Sequence, residues 1–89
     1  MTTKVKQFEG RSGAVKNQIL IETLEGIFFQ SYQSIIAFKD NNGKIQLDCN
    51  FWDYSTTTGK YRNQFLNETK KETEIKIKNG TYQLTDLNN

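Results

Sequence analysis

Between Gln18 and Asp48 the chain alternates short apolar runs with turn chemistry, and this rhythm limits its fold more than any other feature. Gln18-Ile19-Leu20-Ile21-Glu22 is rich in β-branched residues, Thr23-Leu24-Glu25-Gly26 supplies a turn, and Ile27-Phe28-Phe29-Gln30 reads as the returning strand. Ser31-Tyr32-Gln33 then interrupts the run before Ser34-Ile35-Ile36-Ala37-Phe38-Lys39 resumes it. Asp40-Asn41-Asn42-Gly43 follows, and an Asn-Gly pair between apolar runs predicts a hairpin, because both residues tolerate the positive φ of a type I′ turn. Its second strand is Lys44-Ile45-Gln46-Leu47-Asp48, where Ile45 and Leu47 alternate with polar neighbours as a half-buried strand would. Four strands with short connections predict a four-stranded antiparallel meander.

The period changes after Asn50. Ser55-Thr56-Thr57-Thr58 precedes Tyr61, Phe65 and Leu66 at helical spacing, which predicts an N-capped helix over about 57–67 that lays those three residues on the sheet. The last segment supports two readings. Thr69 and Glu72 have capping-box spacing and Gly80 suits a C′ position, which favours a short helix at 70–78 with a strand at 81–85. The alternation of Ile75 and Ile77 before Asn79-Gly80 instead suits a hairpin. Residues 1–16 hold Lys4, Lys6, Arg11 and Lys16 and show no regular period, so they are expected to form a flexible basic arm beside a single α+β domain over 17–89.

Chain length and residue types narrow the chemistry. Eighty-nine residues make one core. With no histidine, no proline and only Cys49, the sequence excludes a disulfide framework, a Cys/His zinc site and a histidine-based triad. Cys49 is expected to be a small buried hydrophobe. The hydroxyls at 55–58 are read as helix caps, since a nucleophilic hydroxyl needs a positioned base. Asp48, Asp53 and Glu22 are read as solvated residues, because no spacing pairs them as acid and base. Asp40-Asn41-Asn42-Gly43 lacks the later ligands of a calcium loop. Gly10-Arg11-Ser12-Gly13-Ala14-Val15-Lys16 has the ingredients of an anion nest without a phosphate-loop spacing, so an arm is the preferred reading. The protein is accordingly expected to be no enzyme and to need no cofactor or metal. The start shows no signal peptide and no apolar run is long enough to span a membrane, so a cytoplasmic location is expected. Asn67-Glu68-Thr69 and Asn79-Gly80-Thr81 are read as cap and turn residues rather than glycosylation sites.

The aromatic residues carry the strongest functional signal. Nine of eleven lie between Phe28 and Phe65, more than a core of this size needs, so several are expected at the surface. Phe28 and Phe29 must point to opposite faces of a strand. Exposed aromatics anchor protein partners or stack bases. Stacking calls for interleaved cations, and around Phe28–Phe38 there is only Lys39, whereas Lys60 and Arg62 flank Tyr61; a net charge of +2 is weak for a phosphate-binding surface. Phe29, Tyr32, Trp52, Tyr54, Lys60 and Arg62 are the candidate binding residues.

Two segments, Phe29-Gln30-Ser31-Tyr32-Gln33-Ser34-Ile35-Ile36-Ala37 and Trp52-Asp53-Tyr54-Ser55-Thr56-Thr57-Thr58-Gly59-Lys60-Tyr61-Arg62-Asn63-Gln64-Phe65-Leu66, resemble a set of small proteins encoded by phages and mobile elements of low-GC bacteria. The likeness spans roughly residues 10–86. It implies a small phage accessory protein that binds and blocks a host or defence protein, a CRISPR effector among the options, and it transfers no functional residue. A DNA-mimic mechanism conflicts with the positive net charge. Two alternatives stay open: a nucleic-acid-binding accessory protein, and a sponge for a small nucleotide signal. Self-association as a homodimer is also expected, since surplus aromatics and strand edges need cover.

Overall fold

The computed structural model describes residues 3–10 and 13–88. Six strands form one sheet: β1 (Lys4–Gly10), β2 (Gly13–Glu22), β3 (Gly26–Ser31), β4 (Ser34–Asp40), β5 (Ile45–Asp48) and β6 (Gln83–Thr85). Helices α1 (Thr56–Leu66) and α2 (Lys70–Lys78) lie between β5 and β6. The strand order is sequential, antiparallel from β1 to β5, and closed by β6 parallel to β5. The fold is therefore α+β, but the sheet is mixed and larger than the expected four-stranded meander.

The two added strands have separate causes. β1 pairs with β2 from Lys4↔Glu22 to Gly10↔Gly13, so the segment expected as a flexible arm is an edge of the sheet. Its sequence hides this: lysines and a glutamine dominate a strand whose ordering comes from its partner, and charged residues suit an exposed edge. Phe8 is the side chain that joins it to the core. Arg11 and Ser12 of the suggested anion nest lie outside the described residues. β6 reaches β5 only after both helices, as a parallel neighbour requires a crossover.

Local chemistry explains the connections. Thr23 Oγ1 accepts from the Glu25 and Gly26 backbone N–H groups, closing the first turn. Gly26 is obligatory there, because a Cβ would stand 2.2 Å from the Lys39 carbonyl oxygen. At 40–43 the expected type I′ turn is absent. Among Asn41, Asn42 and Gly43 only Gly43 has positive φ, at 84°, while Gly43 N–H bonds to Asp40 O at 3.0 Å. That combination is a type I turn followed by a left-handed glycine. Asp40 Oδ1 stabilises it by accepting from Asn42 and Lys44 N–H. The ambiguous segment resolves as a helix: Thr69 and Glu72 form a reciprocal capping box.

Phe8, Leu20, Phe29, Ala37, Ile45 and Leu47 point from the sheet toward one side, where Tyr61, Phe65 and Leu66 of α1 and Ile77 of α2 meet them. Phe29 is fully buried, edge-on to Phe8 at 5.3 Å and 5.8 Å from Phe65. In β4 the register slips between Phe29 and Gln30, making Ile36 the extra residue of a bulge and burying both Ile36 and Ala37 on the core side. Phe65 is half-buried rather than enclosed. Cys49 is exposed, not buried, because it falls in the loop that leaves β5. Asp48 is fully buried, not solvated, and accepts backbone N–H bonds from Asn50, Phe51 and Leu87.

Phe29→Ala should destabilise the domain by about 3–5 kcal/mol in chemical denaturation, whereas half-buried Phe65→Ala should stay below that range.

Candidate functional site

The loop 49–55 between β5 and α1 organises the region that holds most candidate residues. Asp48 Oδ2 accepts from Asn50 and Phe51 N–H, and Trp52 N–H bonds to Asp48 O at 3.0 Å. The chain then enters α1 through Ser55, whose hydroxyl caps Thr58 N–H. Thr58 and Ser31 share a buried hydroxyl bond of 2.8 Å, which ties this end of α1 to the end of β3. The serine and threonine at 55 and 58 thus act as caps and a cross-link.

On one side of the loop lies an open cleft of about 380 Å³, lined by Asn17, Ser31, Tyr32, Gln33, Ser34, Phe51 and Tyr54. All seven are uncharged. Tyr32 and Gln33 turn the chain between β3 and β4, and Tyr32 has a φ of 58°. It occupies the first central position, which glycine fills in type II′ turns. A bulky residue there stores about 1–3 kcal/mol of strain. Asn17 is also left-handed, with a φ of 69°, and its carbonyl accepts the Tyr32 N–H at 2.7 Å. The turn is thereby anchored to β2. Tyr32 is 45% exposed and Tyr54 61% exposed, with the Tyr54 ring 5.8 Å from Phe51. Gln18, across from Ser31 in the sheet register, is buried, and its amide atoms have no hydrogen-bond partner among the described residues.

A second, larger cleft of about 750 Å³ opens on the other side and includes Asp53, Ser55, Lys60, Arg62 and Lys70. Its charges are largely spent on one another. Arg62 is 1% exposed, so it cannot serve as a surface cation for phosphate as the sequence suggested. Its guanidinium lies 5.2 Å from the Trp52 ring centre and donates to Trp52 O, Asp53 Oδ1 and Asn63 Oδ1. Lys70 bonds the other Asp53 oxygen at 2.7 Å. Trp52 is half-buried beneath this clamp. Lys60 remains exposed, with Nζ 5.3 Å from the Tyr61 ring.

The six candidate residues therefore separate. Tyr32 and Tyr54 meet in one cleft, while Trp52 and Arg62 form a buried clamp with Lys60 near its rim. Phe29 belongs to the core and is corrected as a binding residue, because α1 covers its face of the sheet. Sequence reasoning missed Asn17, Ser31 and Phe51 on the cleft wall. It also missed Glu68, a carboxylate 3% exposed that accepts from Thr73, Lys76 and Tyr82 and thereby joins α2 and the approach to β6. No signal for Glu68 precedes the fold, since its donors come from two later elements.

Burial resists ionisation of Glu68, but hydrogen bonds from Lys76, Thr73 and Tyr82 outweigh it and hold the carboxyl below its ordinary value. Asp53 behaves alike: burial opposes its charge, and hydrogen bonds from Lys70 and Arg62 bring the carboxyl down. The hydrogen bond to Asp53 raises Lys70, and that to Glu68 raises Lys76. Burial, then the bond to Glu68, raises Tyr82.

These features define a small α+β domain whose open, uncharged, aromatic cleft lies beside a charge-locked loop. The chain belongs to the family of unknown function DUF8033, whose pattern matches residues 2–81. No curated protein and no solved structure matches it. No helix among the described residues is long and apolar enough to cross a membrane.

Arg62→Lys should lower stability by at least about 2 kcal/mol in denaturant unfolding, because an ammonium cannot reproduce three directed bonds and the stacking on Trp52. The carboxyl shifts set a pH dependence. Lowered folded values mean that the unfolded chain binds more protons in acid, so this stability is present above the ordinary carboxylate range and lost as pH falls through the folded values. Thermal unfolding across that range should show the loss, and Glu68→Gln should flatten its slope. The raised Lys70, Lys76 and Tyr82 values act oppositely, so their contribution disappears as pH rises through their folded values.

Proposed function

We propose that this protein is a non-enzymatic binding module that holds a protein partner through the Tyr32–Tyr54 cleft. The observation that carries this reading is the strained Tyr32, held at a φ of 58° on the wall of the cleft that exposed Tyr54 also lines. Strain of this kind persists where the surrounding structure enforces it, and binding sites are a common place for it. Tyrosines with few rotatable bonds are efficient anchors, since they offer wide amphipathic contact at low ordering entropy.

The uncharged lining supports a protein over a nucleic acid. Phosphate contacts need cations, and none lines this cleft. Arg62, one of the two helix cations the sequence offered for that role, is buried and paired. The resemblance to phage-borne accessory proteins supports a host or defence protein as the partner, met in the host cytoplasm and blocked by occlusion of its surface.

Affinity capture with the wild-type chain as bait, repeated with Tyr54→Ala, tests the proposal. A partner retained by the wild type should bind the variant with affinity weaker by about 2 kcal/mol or more, without loss of fold. Tyr32→Gly should likewise weaken binding while leaving stability equal or higher, because glycine relieves the strain. Tight, salt-sensitive oligonucleotide binding that Lys60→Ala weakens would overturn the proposal in favour of nucleic acid.

A further inference from the structure

Nine asparagines punctuate the chain, and two of them, Asn42 and Asn79, precede a glycine. That dipeptide is the one in which an asparagine side chain is chemically least durable. With no side chain on the following residue, its backbone nitrogen can approach the asparagine Cγ and close a five-membered ring. A bulkier neighbour obstructs the same approach at the other internal positions, Asn41 among them, since Asn42 follows it.

The two glycines do not distinguish the sites. Both have a φ of 84°, and a Cβ at either would meet nothing within 4 Å. The asparagine side chains differ. Asn79 Oδ1 accepts from Thr81 N–H at 2.9 Å and from Thr81 Oγ1 at 2.6 Å. Its backbone is tied into the end of α2, with Asn79 N–H bonded to Ile75 O and Gly80 N–H to Ile77 O. At Asn42 the bonds of the turn run through other atoms. Asp40 Oδ1 accepts from Asn42 N–H and Lys44 N–H, Asp40 O accepts from Gly43 N–H, and the Asn41 side chain donates to Leu24 O. The turn therefore holds its own backbone and leaves the exposed Asn42 amide outside that network. One bond, Gly43 N–H to Asp40 O at 3.0 Å, must open to free the attacking nitrogen, and it lies at a hairpin tip beyond the ladder pair Lys39↔Ile45. Openings at exposed tips cost far less than release of a helix end held by several bonds.

We propose that Asn42 is the principal site of spontaneous deamidation in this protein, and that the fold protects Asn79. The Gly43 nitrogen gives up its proton and attacks Asn42 Cγ, so that a new N–Cγ bond forms and the side-chain nitrogen takes up a proton and leaves as ammonia. One water then opens the cyclic imide. Cleavage of the N–Cγ bond yields aspartate. Cleavage between the nitrogen and the backbone carbonyl carbon of residue 42 yields isoaspartate, in which the main chain runs through the former side chain and is one carbon longer. Either product replaces a neutral amide with a carboxylate two residues from Asp40, and lowers the formal net charge of +2 by one unit. The isoaspartyl form also lengthens a turn whose bonds to Asp40 O and Oδ1 depend on its residue count, which loosens the β4–β5 hairpin just before buried Ile45.

Incubation of the full chain in mildly alkaline buffer, followed by tryptic mass mapping, tests this. Cleavage after Lys39, Lys44 and Lys78 puts Asn42 and Asn79 on separate peptides. Each conversion adds about 1 Da, and fragmentation assigns it to Asn42 or Asn41 within the first peptide. In the folded chain Asn42 should convert at least about fivefold faster than Asn79, and in denaturant, where both are bare Asn-Gly pairs, the two rates should converge. Thr81→Ala, which removes the shorter of the two bonds to Asn79 Oδ1, should speed conversion at Asn79 and leave that at Asn42 unchanged. A smaller ratio in the folded chain, or Asn79 ahead of Asn42, would overturn the proposal. So would a difference that persists unchanged in denaturant, since the fold would not be its cause, or an Asn79 rate that Thr81→Ala does not move. A folded chain in which neither residue converts over the time the denatured chain needs would overturn it as well.

Discussion

Two short helices can cover only one side of a six-stranded sheet, and the rest of the structure follows from that shortage. Eleven and nine residues at 1.5 Å each give rods of about 17 and 14 Å, against a sheet roughly 25 Å across. All the helical apolar contacts therefore concentrate on Phe29, Leu47 and their neighbours. The aromatic surplus follows from the same count. Phe8, Phe29, Tyr61 and Phe65 fill the covered side, while Phe28 and Phe38 can only pack against each other on the far side.

Small helical areas also place weight on polar contacts at the helix ends. Arg62 fastens α1 to the loop behind it through Trp52 and Asp53, and Glu68 fastens the α1–α2 junction to Tyr82 just before β6. Each is a charge taken out of water and surrounded by directed partners. Buried ion pairs of this type add little net stability over apolar packing, but they penalise alternative arrangements that leave them unpaired. Arg62, together with Asp48, sets where the loop 49–55 lies, and hence how Phe51 and Tyr54 face the β3–β4 turn. The cleft is a consequence of those two anchors as much as of its own lining.

Much of the architecture was legible wherever the information was local. The hairpins around residues 23–26 and 40–43, the Ser55 cap and the capping box at Thr69 all rest on side chains that bond to backbone within three or four residues. The misreadings share the opposite character. β1 carries too few apolar residues to declare itself and is ordered by β2. β6 does fall within the strand expected at 81–85, but its parallel place beside β5, reached through two helices, is set by a partner far away in sequence. The turn at 40–43 was located correctly, but its type differs because Asp40, by accepting from Asn42 and Lys44, stabilises a negative φ where Asn-Gly suggested a positive one. Of the candidate binding residues, Tyr32 and Tyr54 came together because a strained turn and a loop end side by side, a juxtaposition absent from any spacing.

From residue 17 onward the sequence by itself determined which stretches extend, which turn and which coil, because those choices are made by β-branching, glycine, and capping side chains acting over a few residues. It also determined that histidine, disulfide and Cys/His zinc chemistry are excluded, since the residue types are missing. Only the tertiary structure decided that Arg62 is a buried clamp rather than a surface cation, that Phe29 is core rather than anchor, and that both helices pack on one side of the sheet while Phe28 and Phe38 stack on the other. Burial is a property of what packs across the chain, and the distances between β5, α1 and the β3–β4 turn were settled only when both helices took the same face.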